Sequence, residues 1–328
     1  MKFLRAGVLG VIALFAAAAA VFGWGVGDYF AEGTLTKTTT VVVPKGQGIE
    51  QIAETLASAG VIDHPWVFVT AAKLTGAAPS LKAGEYEFAA AISPRFVIDL
   101  LVSGKVVRHK LTVPEGQTSA EIIAALKSIP ILEGPVDIPP PEGSLLPQTY
   151  FYIYGEQRQE LIKRMTAAMD DAVAKAWSGR RPGLPLANAQ QAVILASIIE
   201  KETAKPEERA RIAGVYIDRL KIGMPLQADP TVAYALTRGG SVPLDHALGH
   251  ADVAKDSPYN TYMFKGFPPT PIANPGIAAL DAAVNPEQRG ELYFVADGKG
   301  GHVFSKTLAE HNKNVARLRA KKPVKAGD

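Results

Sequence analysis

The chain has 328 residues, enough for two modest domains with accessory segments. Its formal net charge is +3 and 20% of its residues are charged, so the composition gives no electrostatic reason to expect nucleic-acid binding. The chain contains no cysteine, which excludes disulfide frameworks, zinc–thiolate sites and thiol nucleophiles.

The N-terminus carries the clearest targeting signal. Lys2 and Arg5 precede an uncharged run from Ala6 to Val26, which matches the roughly 20 residues that cross a bilayer's hydrocarbon core. The two cations predict a cytoplasmic tip at residues 1–5 and an exported remainder. A cleaved signal peptide is the competing interpretation, because Ala16 to Ala20 offers small-residue cleavage sites. We favour the uncleaved anchor.

The sequence after the anchor predicts a spacer and then a duplicated unit. We expect Trp24 and Tyr29 at the outer membrane interface, and residues 28–39 as a polar spacer that lifts the globular part off the membrane. The motif Val-Pro-x-Gly-Gln occurs at residues 43–47 and again at 113–117. Each copy follows a strand candidate and precedes an isoleucine-bearing helix, which indicates a duplicated strand–helix unit.

Hydrophobic periodicity and capping signals predict further elements along the whole chain. The predicted helices cover residues 49–59, 65–74, 95–102, 156–177, 188–203, 206–223, 231–236, 276–284 and 307–321. Asp-Pro and Asn-Pro pairs, with Asp229 and Asn274 as N-caps, are expected to open two of them. Residues 292–296 and 302–305 are expected to form a hairpin, and residues 129–141 read as a proline-rich linker.

The most informative stretch is a helix whose apolar run ends in Glu200 and Glu202. On a wheel of about 100° per residue, Glu202 shares one stripe with Leu195, Ile198 and Ile199, whereas Glu200 falls elsewhere. The two glutamates are therefore not expected to face one substrate. A carboxylate on the core-facing stripe is costly unless it is partnered or used in chemistry. A glutamate that bends out to solvent at the helix end is an equal alternative.

The sequence lacks convincing motifs for metal binding, phosphate binding or a nucleophilic serine. His246 and His250 are four apart, but a glycine and nearby prolines argue against a metal-binding helix, so we expect neither a metal nor a cofactor. Residues 297–301 lack the rest of a phosphate-binding loop, and a hairpin turn explains them better. No nucleophile elbow occurs, and Ser197 lies away from Glu202 on its helix.

Polar and aromatic side chains on irregular segments complete the candidate site around Glu202. The candidates for substrate binding are Gln227, Tyr259, Asn260, Tyr262 and Asn274. Such an inventory suits carbohydrate, because sugars offer hydroxyls and N-acetyl amides to hydrogen-bonding groups and apolar faces to aromatic rings. Ordinary loop packing is the alternative for the two tyrosines, and helix capping is the first expectation for Asp229.

Several motifs together resemble the endolytic murein transglycosylase family. They are Leu195–Thr203, Arg219–Val232, Tyr259–Tyr262, Ile272–Gly276 and Tyr293–His302, and the resemblance runs from the anchor to the last helix. It implies that Glu202, the second glutamate of Glu-Lys-Glu, is catalytic and that the duplicated unit is LysM-like. One departure is at residues 144–150, where the family usually has an aromatic residue and an aspartate, which leaves any role for Gln148 in doubt.

The sequence thus predicts an α+β protein with a single N-terminal transmembrane helix, a small LysM-like αβ domain and a larger mixed α/β catalytic domain. The expected divisions are a cytoplasmic tip at 1–5, a transmembrane helix at 6–27, a linker at 28–39, the LysM-like domain at 40–107, a second repeat-like unit and connector at 108–150, and the catalytic domain at 151–328.

The resemblance also implies an activity, a place and partners. The expected enzyme is a lyase that cleaves the β-1,4 bond between N-acetylmuramic acid and N-acetylglucosamine inside nascent peptidoglycan strands. It would leave 1,6-anhydro ends, terminate strand elongation and work beside peptidoglycan synthases. The expected location is the inner membrane, with the catalytic domain in the periplasm. A non-catalytic envelope protein that binds peptidoglycan is the alternative.

Overall fold

The structure is a computed structural model that describes residues 2–321. Met1 of the predicted cytoplasmic tip and residues 322–328 of the predicted catalytic domain lie outside the described residues. The chain divides into two compact units. Unit 1 comprises Met1–His109 and Phe151–Gly155, and unit 2 comprises Lys110–Tyr150 and Glu156–Asp328.

Unit 1 is built from helices around one antiparallel strand pair. Its regular elements are α1 (Lys2–Phe30), β1 (Thr39–Val43), α2 (Ile49–Ser58), α3 (Pro65–Leu74), β2 (Gly84–Phe88) and α4 (Pro94–Ser103). In the β1–β2 register Val41 lies opposite Tyr86, and Val43 lies opposite Gly84. Both valines are buried, whereas Thr40 before them is exposed and Val42 between them is half-buried, because alternate side chains of a strand point to opposite faces.

The N-terminal apolar helix predicted from the sequence is present. Its segment Gly7–Phe30 is, within the described residues, the one helix long and apolar enough to cross a membrane. Its 24 residues correspond to about 36 Å at roughly 1.5 Å per residue, more than the ~30 Å hydrocarbon core. The helix also continues past the predicted end at residue 27 and packs on α3 and α4.

The segment predicted as a spacer forms hydrogen bonds within unit 1, and its role of lifting the globular part off the membrane stays a prediction. The amide of Gly33 donates to the Ala91 carbonyl at 3.2 Å, and the Ala91 amide donates to the Leu35 carbonyl at 2.8 Å. The hydroxyl of Thr34 donates to the Asp63 carboxylate. The backbone groups of this polar segment are satisfied by neighbouring loops of the same unit, which holds the segment in place.

The short segment Phe151–Gly155 belongs to unit 1 although it lies far along the chain. The ammonium of Lys45 donates to the Gly155 carbonyl at 2.9 Å. The His109 ring stacks on Tyr152 with centroids 5.6 Å apart, and Tyr152 is buried. Unit 1 is therefore assembled from two separate stretches of sequence.

The remaining elements are mostly helices. They are β3 (His109–Thr112), α5 (Ser119–Lys127), β4 (Thr149–Tyr152), α6 (Arg158–Ser178), α7 (Ala189–Glu202), α8 (Pro206–Lys221), α9 (Asp229–Leu236), α10 (His250–Val253), α11 (Ile277–Val284), β5 (Tyr293–Ala296), β6 (His302–Ser305) and α12 (Leu308–Lys321). β3 and β4 form one two-stranded sheet, and β5 and β6 form another. The predicted helices are present with ends within about two residues, and the predicted hairpin is confirmed.

Helix α7 is the centre of unit 2. It begins after Asn188, whose side chain accepts a hydrogen bond from the Gln191 amide at 3.0 Å, and it ends before Thr203. Every residue from Ala192 to Ile199 is buried, because α6, α8, α9 and α11 all pack against it. A helix segment that is apolar on all sides is buried in this way, whereas the first and last turns of α7 carry polar residues that are not buried.

The duplicated motif forms a strand, a turn and a helix in both copies, as predicted. Gly46 and Gly116 both have positive φ angles, 83° and 79°, a conformation that favours glycine. The second copy lies in unit 2 against the end of α7. There the Gly116 amide donates to the Asn274 carbonyl at 3.0 Å, and the Lys201 ammonium donates to the Gly116 carbonyl at 3.2 Å.

The proline-rich stretch after α5 is irregular, as expected, but it is tied to unit 2. The guanidinium of Arg158 donates to the carbonyls of Leu126, Ile129 and Gly134 at 3.0, 2.8 and 2.8 Å. One side chain thus holds the start and the middle of this segment, and Leu132 is buried beside them.

Candidate active site

Glu202, the last residue of α7, is half-buried and lies within a polar cluster. Its Oε1 accepts a hydrogen bond of 2.5 Å from the hydroxyl of Tyr216, a fully buried residue of α8. Burial raises the pKa of Glu202 to about 7, helped by the negative charge of Asp229 and opposed by the Tyr216 hydrogen bond and by Arg219. The alternative of a glutamate that bends out to solvent is therefore rejected.

Glu200 has different partners. Its carboxylate pairs with Arg209 at 3.1 Å and accepts the Gly276 amide at 2.9 Å. The Glu200 side chain is only 5% exposed, so it is an internal ion pair that joins α7, α8 and the start of α11. As the helical wheel predicts, the two glutamates do not face a common site.

Asp229 is part of the Glu202 cluster and is not the cap of α9. Its Oδ1 accepts a 2.5 Å hydrogen bond from the hydroxyl of Tyr262. The N-cap residue is Ala228, and no side-chain hydrogen bond caps the helix. The predicted cap is wrong because Asp229 is itself the first helical residue and its carboxylate is engaged by Tyr262.

Arg219 braces the cluster from inside α8. It is 6% exposed, and its guanidinium donates to the Leu292 carbonyl at 2.7 Å and to the Leu226 carbonyl at 2.5 Å. Burial lowers the pKa of Arg219. The two hydrogen bonds of Arg219 fix two chain segments beside Tyr216. Burial and the negative charge of Glu202 raise the pKa of Tyr216 well above its usual value.

Gln227 lies on a strained turn between buried neighbours. Its φ of 50° is unusual for a residue other than glycine, and its amide donates to the Thr261 carbonyl at 3.1 Å. The next amide, of Ala228, donates to the Thr261 hydroxyl at 2.9 Å. These bonds hold an exposed Gln227 side chain two residues from Asp229. Strained backbone of this kind concentrates at functional sites.

Tyr259 and Tyr262 lie on either side of a buried asparagine. The Tyr259 hydroxyl is 2.8 Å from the Thr270 hydroxyl, and its ring packs on Tyr234 with centroids 4.9 Å apart. Tyr262 joins the Glu202 cluster through Asp229, whereas Tyr259 lies beside the Tyr234 ring. Both tyrosines are half-buried.

Asn260 shapes the loop and does not offer its amide to a ligand. Its side-chain nitrogen donates to the carbonyls of Val253 and Lys255 at 3.0 and 2.7 Å. Its side-chain oxygen accepts the Tyr262 amide at 3.0 Å, and the residue is 1% exposed. The expected direct contact with substrate is therefore corrected to positioning of Tyr262.

Asn274 is likewise buried and fully bonded. Its side-chain oxygen accepts the Leu145 amide at 2.9 Å, and its nitrogen donates to the Gln117 carbonyl and the Ser119 hydroxyl at 3.0 and 3.1 Å. It neither caps α11, whose N-cap is Gly276, nor points to a ligand. Both expectations are corrected, because Asn274 links the second repeat copy to other segments of unit 2.

A cleft of about 460 Å³ opens in unit 2, within the roughly 300–1,000 Å³ range of ligand pockets. Its walls come from the start of α5, the end of α7, α9 and the loop after α9. The lining includes Thr118, Glu121, Lys201, Pro230, Tyr234, residues 241–244 and Ile272. Among the described residues that line it, Lys201 and Pro230 are the chain neighbours of Glu202 and Asp229, whereas Glu202 and Asp229 themselves do not line it.

A carboxyl group that has a near-neutral pKa and accepts a hydrogen bond from a buried tyrosine can serve as the proton donor and acceptor of an acid–base enzyme. Residues 41–317 match the model of the YceG-like family, and the chain belongs to this family.

Named relatives agree with this membership. The chain is 32% identical over 308 residues to the endolytic murein transglycosylase of Bacillus subtilis strain 168, covering 84% of this chain and 83% of the relative. It is 31% identical over 327 residues to that of Streptococcus pneumoniae serotype 2 strain D39, where it spans 58% of the relative's length. The crystal structure of the YceG-like protein lmo1499 from Listeria monocytogenes is 32% identical, with a TM-score of 0.50, and the match covers 85% of this chain and 99% of that one.

Proposed function

We propose that the protein is an endolytic peptidoglycan lytic transglycosylase and that Glu202 is its single catalytic carboxyl group. Family membership and the named relatives support the activity. The observation that carries the assignment of Glu202 is the pKa of about 7 produced by burial. At neutral pH a substantial fraction of the enzyme then holds a proton on this carboxyl group, ready to be donated.

The proposed reaction breaks the β-1,4 bond between N-acetylmuramic acid and N-acetylglucosamine. The Glu202 carboxyl donates its proton to the bridging oxygen, which leaves as the 4-hydroxyl of N-acetylglucosamine. The resulting carboxylate takes the proton from the 6-hydroxyl of the muramic acid as that oxygen bonds to the anomeric carbon. The product is a 1,6-anhydro end, Glu202 is protonated again, and water is not consumed. One carboxyl group suffices, unlike the usual pair of glycosidases.

The neighbours of Glu202 serve both halves of this cycle. Burial and the charge of Asp229 favour the protonated form that acts as acid. The hydroxyl of Tyr216 donates to Glu202 and favours the carboxylate that acts as base. A pKa near neutrality is the compromise that lets one group take both roles. Gln227, Tyr259 and Tyr262 are proposed to contact the glycan.

We further propose a place for the reaction. Helix α1 anchors the protein in the inner membrane, and unit 2 acts in the periplasm on nascent strands, beside peptidoglycan synthases, to end their elongation. The apolar segment Gly7–Phe30 and the cations before it in the sequence support this orientation. The strand–turn–helix at residues 39–58 supports the proposal that the LysM-like region contacts peptidoglycan.

The test is mass analysis of the products from purified glycan strands, with anhydro ends scored against reducing ends. Wild-type protein is expected to give anhydro ends from internal cuts, and Glu202→Gln none. Glu207→Gln, which changes an exposed glutamate on α8, is the matched control and should cleave like wild type. Anhydro products from Glu202→Gln would refute the catalytic assignment, and reducing ends from wild type would show a hydrolase.

A further inference from the structure

Unit 1 carries a cluster of exposed apolar side chains that the proposed reaction does not use. Between residues 28 and 109 the large hydrophobic side chains exposed to solvent are Phe30, Trp66, Leu74 and Phe96, with exposures of 57%, 44%, 70% and 59%. They lie on α1, α3 and α4, three helices that pack on one another. We call these four residues the apolar face.

A groove runs between the two helices that contribute most to the apolar face. It has a volume of about 160 Å³, and its walls include Phe22, Val26 and Phe30 of α1 and Trp66 and Leu74 of α3. Its lining is almost entirely apolar, which suits a hydrocarbon chain better than a sugar or an ion.

The apolar face also has a cationic edge. The guanidinium of Arg95 lies 5.6 Å from the ring centroid of Phe30 and 5.7 Å from that of Phe96. Trp24 stacks on Trp66 with centroids 5.8 Å apart. Tryptophan and arginine side by side with exposed apolar groups are typical of a bilayer's interfacial region, where indole rings settle at the headgroups and cations meet phosphates.

The depth of this surface follows from the length of α1. Roughly 20 residues cross the hydrocarbon core, so a span that starts at Gly7 ends near Val26. Phe22 then lies inside the outer leaflet, and Phe30 lies about 6 Å beyond Val26 at roughly 1.5 Å per residue. Because α3 shares the groove with these residues, α3 lies at the same level.

We infer that the apolar face is a lipid-contacting surface, embedded in the outer leaflet with an acyl chain in the α1–α3 groove and lipid phosphates beside Arg95. This inference rests on the membrane anchor of the proposed function and is independent of the reaction. Unit 1 is then held against the bilayer by its own side chains as well as by α1, in place of the raised position that a flexible spacer would give.

The absence of cysteine in the chain makes a depth measurement straightforward. Single cysteines at Leu74 and Phe96 would carry nitroxide labels in the full chain, reconstituted into phosphatidylethanolamine and phosphatidylglycerol vesicles. Labels at Glu54 and Glu87 are the matched controls, since both are exposed and lie on α2 and β2, which pack on α3 and β1. A label at Phe15 reports on the anchor itself.

The readout is relaxation by oxygen, which concentrates in lipid, against relaxation by a water-soluble nickel chelate. The oxygen-to-chelate ratio at 74 and 96 is expected to exceed that at 54 and 87 severalfold. Equal ratios at all four positions, with position 15 still shielded from the chelate, would overturn the inference and leave the anchor intact. Shielding of 74 and 96 from both reagents would indicate a second protein copy and also overturn it. Chelate access at position 15 would overturn the anchor as well.

The groove needs its own probe. With Trp24→Phe and Trp177→Phe, Trp66 is the remaining tryptophan of the three in the chain. Lipids brominated near the top of the acyl chain are expected to quench its fluorescence by at least half, relative to unlabelled lipids. Quenching no stronger than that of free tryptophan added to the same vesicles would refute acyl-chain occupancy.

Discussion

Replacing Glu202 by glutamine should change the stability of unit 2 in a way that depends on pH, without any substrate. Burial raises the pKa of this carboxyl group from 4.5 to about 7. A folded state that binds a proton more tightly than the unfolded state is most stable at low pH, and this contribution is lost as pH rises through the folded pKa. The stability contributed by Glu202 is therefore lost between about pH 4.5 and about pH 7.

The magnitude follows from the size of the shift. A rise of about 2.5 pKa units, taken from the two values 4.5 and about 7, corresponds to about 3 kcal/mol at 1.36 kcal/mol per unit. Wild-type protein should lose about this much unfolding free energy between pH 4.5 and pH 8 through this one group. Glu202→Gln carries no charge and retains an oxygen that accepts from Tyr216, so it should be spared the loss and become relatively more stable at pH 8.

The assay is urea unfolding of the full chain in detergent at several pH values. Fluorescence of Trp177, with Trp24 and Trp66 changed to phenylalanine, reports on α6 and hence on unit 2. The measured quantity is the difference in unfolding free energy between Glu202→Gln and its parent, with Glu207→Gln as the control for a lost surface charge. If this difference is the same at pH 5 and pH 8, the carboxyl group does not titrate near neutrality and the argument for its role fails.

Three further outcomes are expected. In wild type, kcat/KM on glycan strands should fall about tenfold per pH unit above pH 7, since the acid must be protonated; a flat profile up to pH 9 would contradict this. Tyr216→Phe removes a hydrogen bond that lowers the pKa of Glu202, and Asp229→Asn removes a charge that raises it, so the alkaline limb of the profile should shift upward in the first variant and downward in the second. Shifts in the same direction would show that the two groups do not act through Glu202. Glu200→Gln breaks the ion pair with Arg209 and should cost about 1–3 kcal/mol of stability while anhydro products persist. Loss of these products from a folded protein would give Glu200 a chemical role.

Local sequence signals predicted α7 well. The uninterrupted apolar run and the two terminal carboxylates concern residues within a few positions of one another. The wheel could therefore separate Glu200 from Glu202, and the structure gives them different partners. The same locality explains why the helix ends were predicted to within about two residues.

Local sequence patterns could not predict hydrogen bonds between residues that are distant in the sequence. Nothing in the local sequence indicates that the hydroxyl of Tyr216 meets Glu202. Arg219 lies in a motif, but its bond to the Leu292 carbonyl joins residues 73 positions apart. Asn274 was predicted to be a helix cap and a substrate-binding residue. Its hydrogen bonds are satisfied inside the protein, and the sequence does not distinguish such a buried asparagine from an exposed one.

The return of Phe151–Gly155 to unit 1 has a practical consequence for anyone who dissects this protein. Excision of residues 40–107 would remove Lys45, which donates to the Gly155 carbonyl, and would strip cover from the buried ring of Tyr152. Such a truncation leaves an apolar remnant exposed between the two stretches of unit 2, so a loss of activity would say little about glycan binding. Chimeras between relatives should exchange both stretches together, because unit 1 is a discontinuous module.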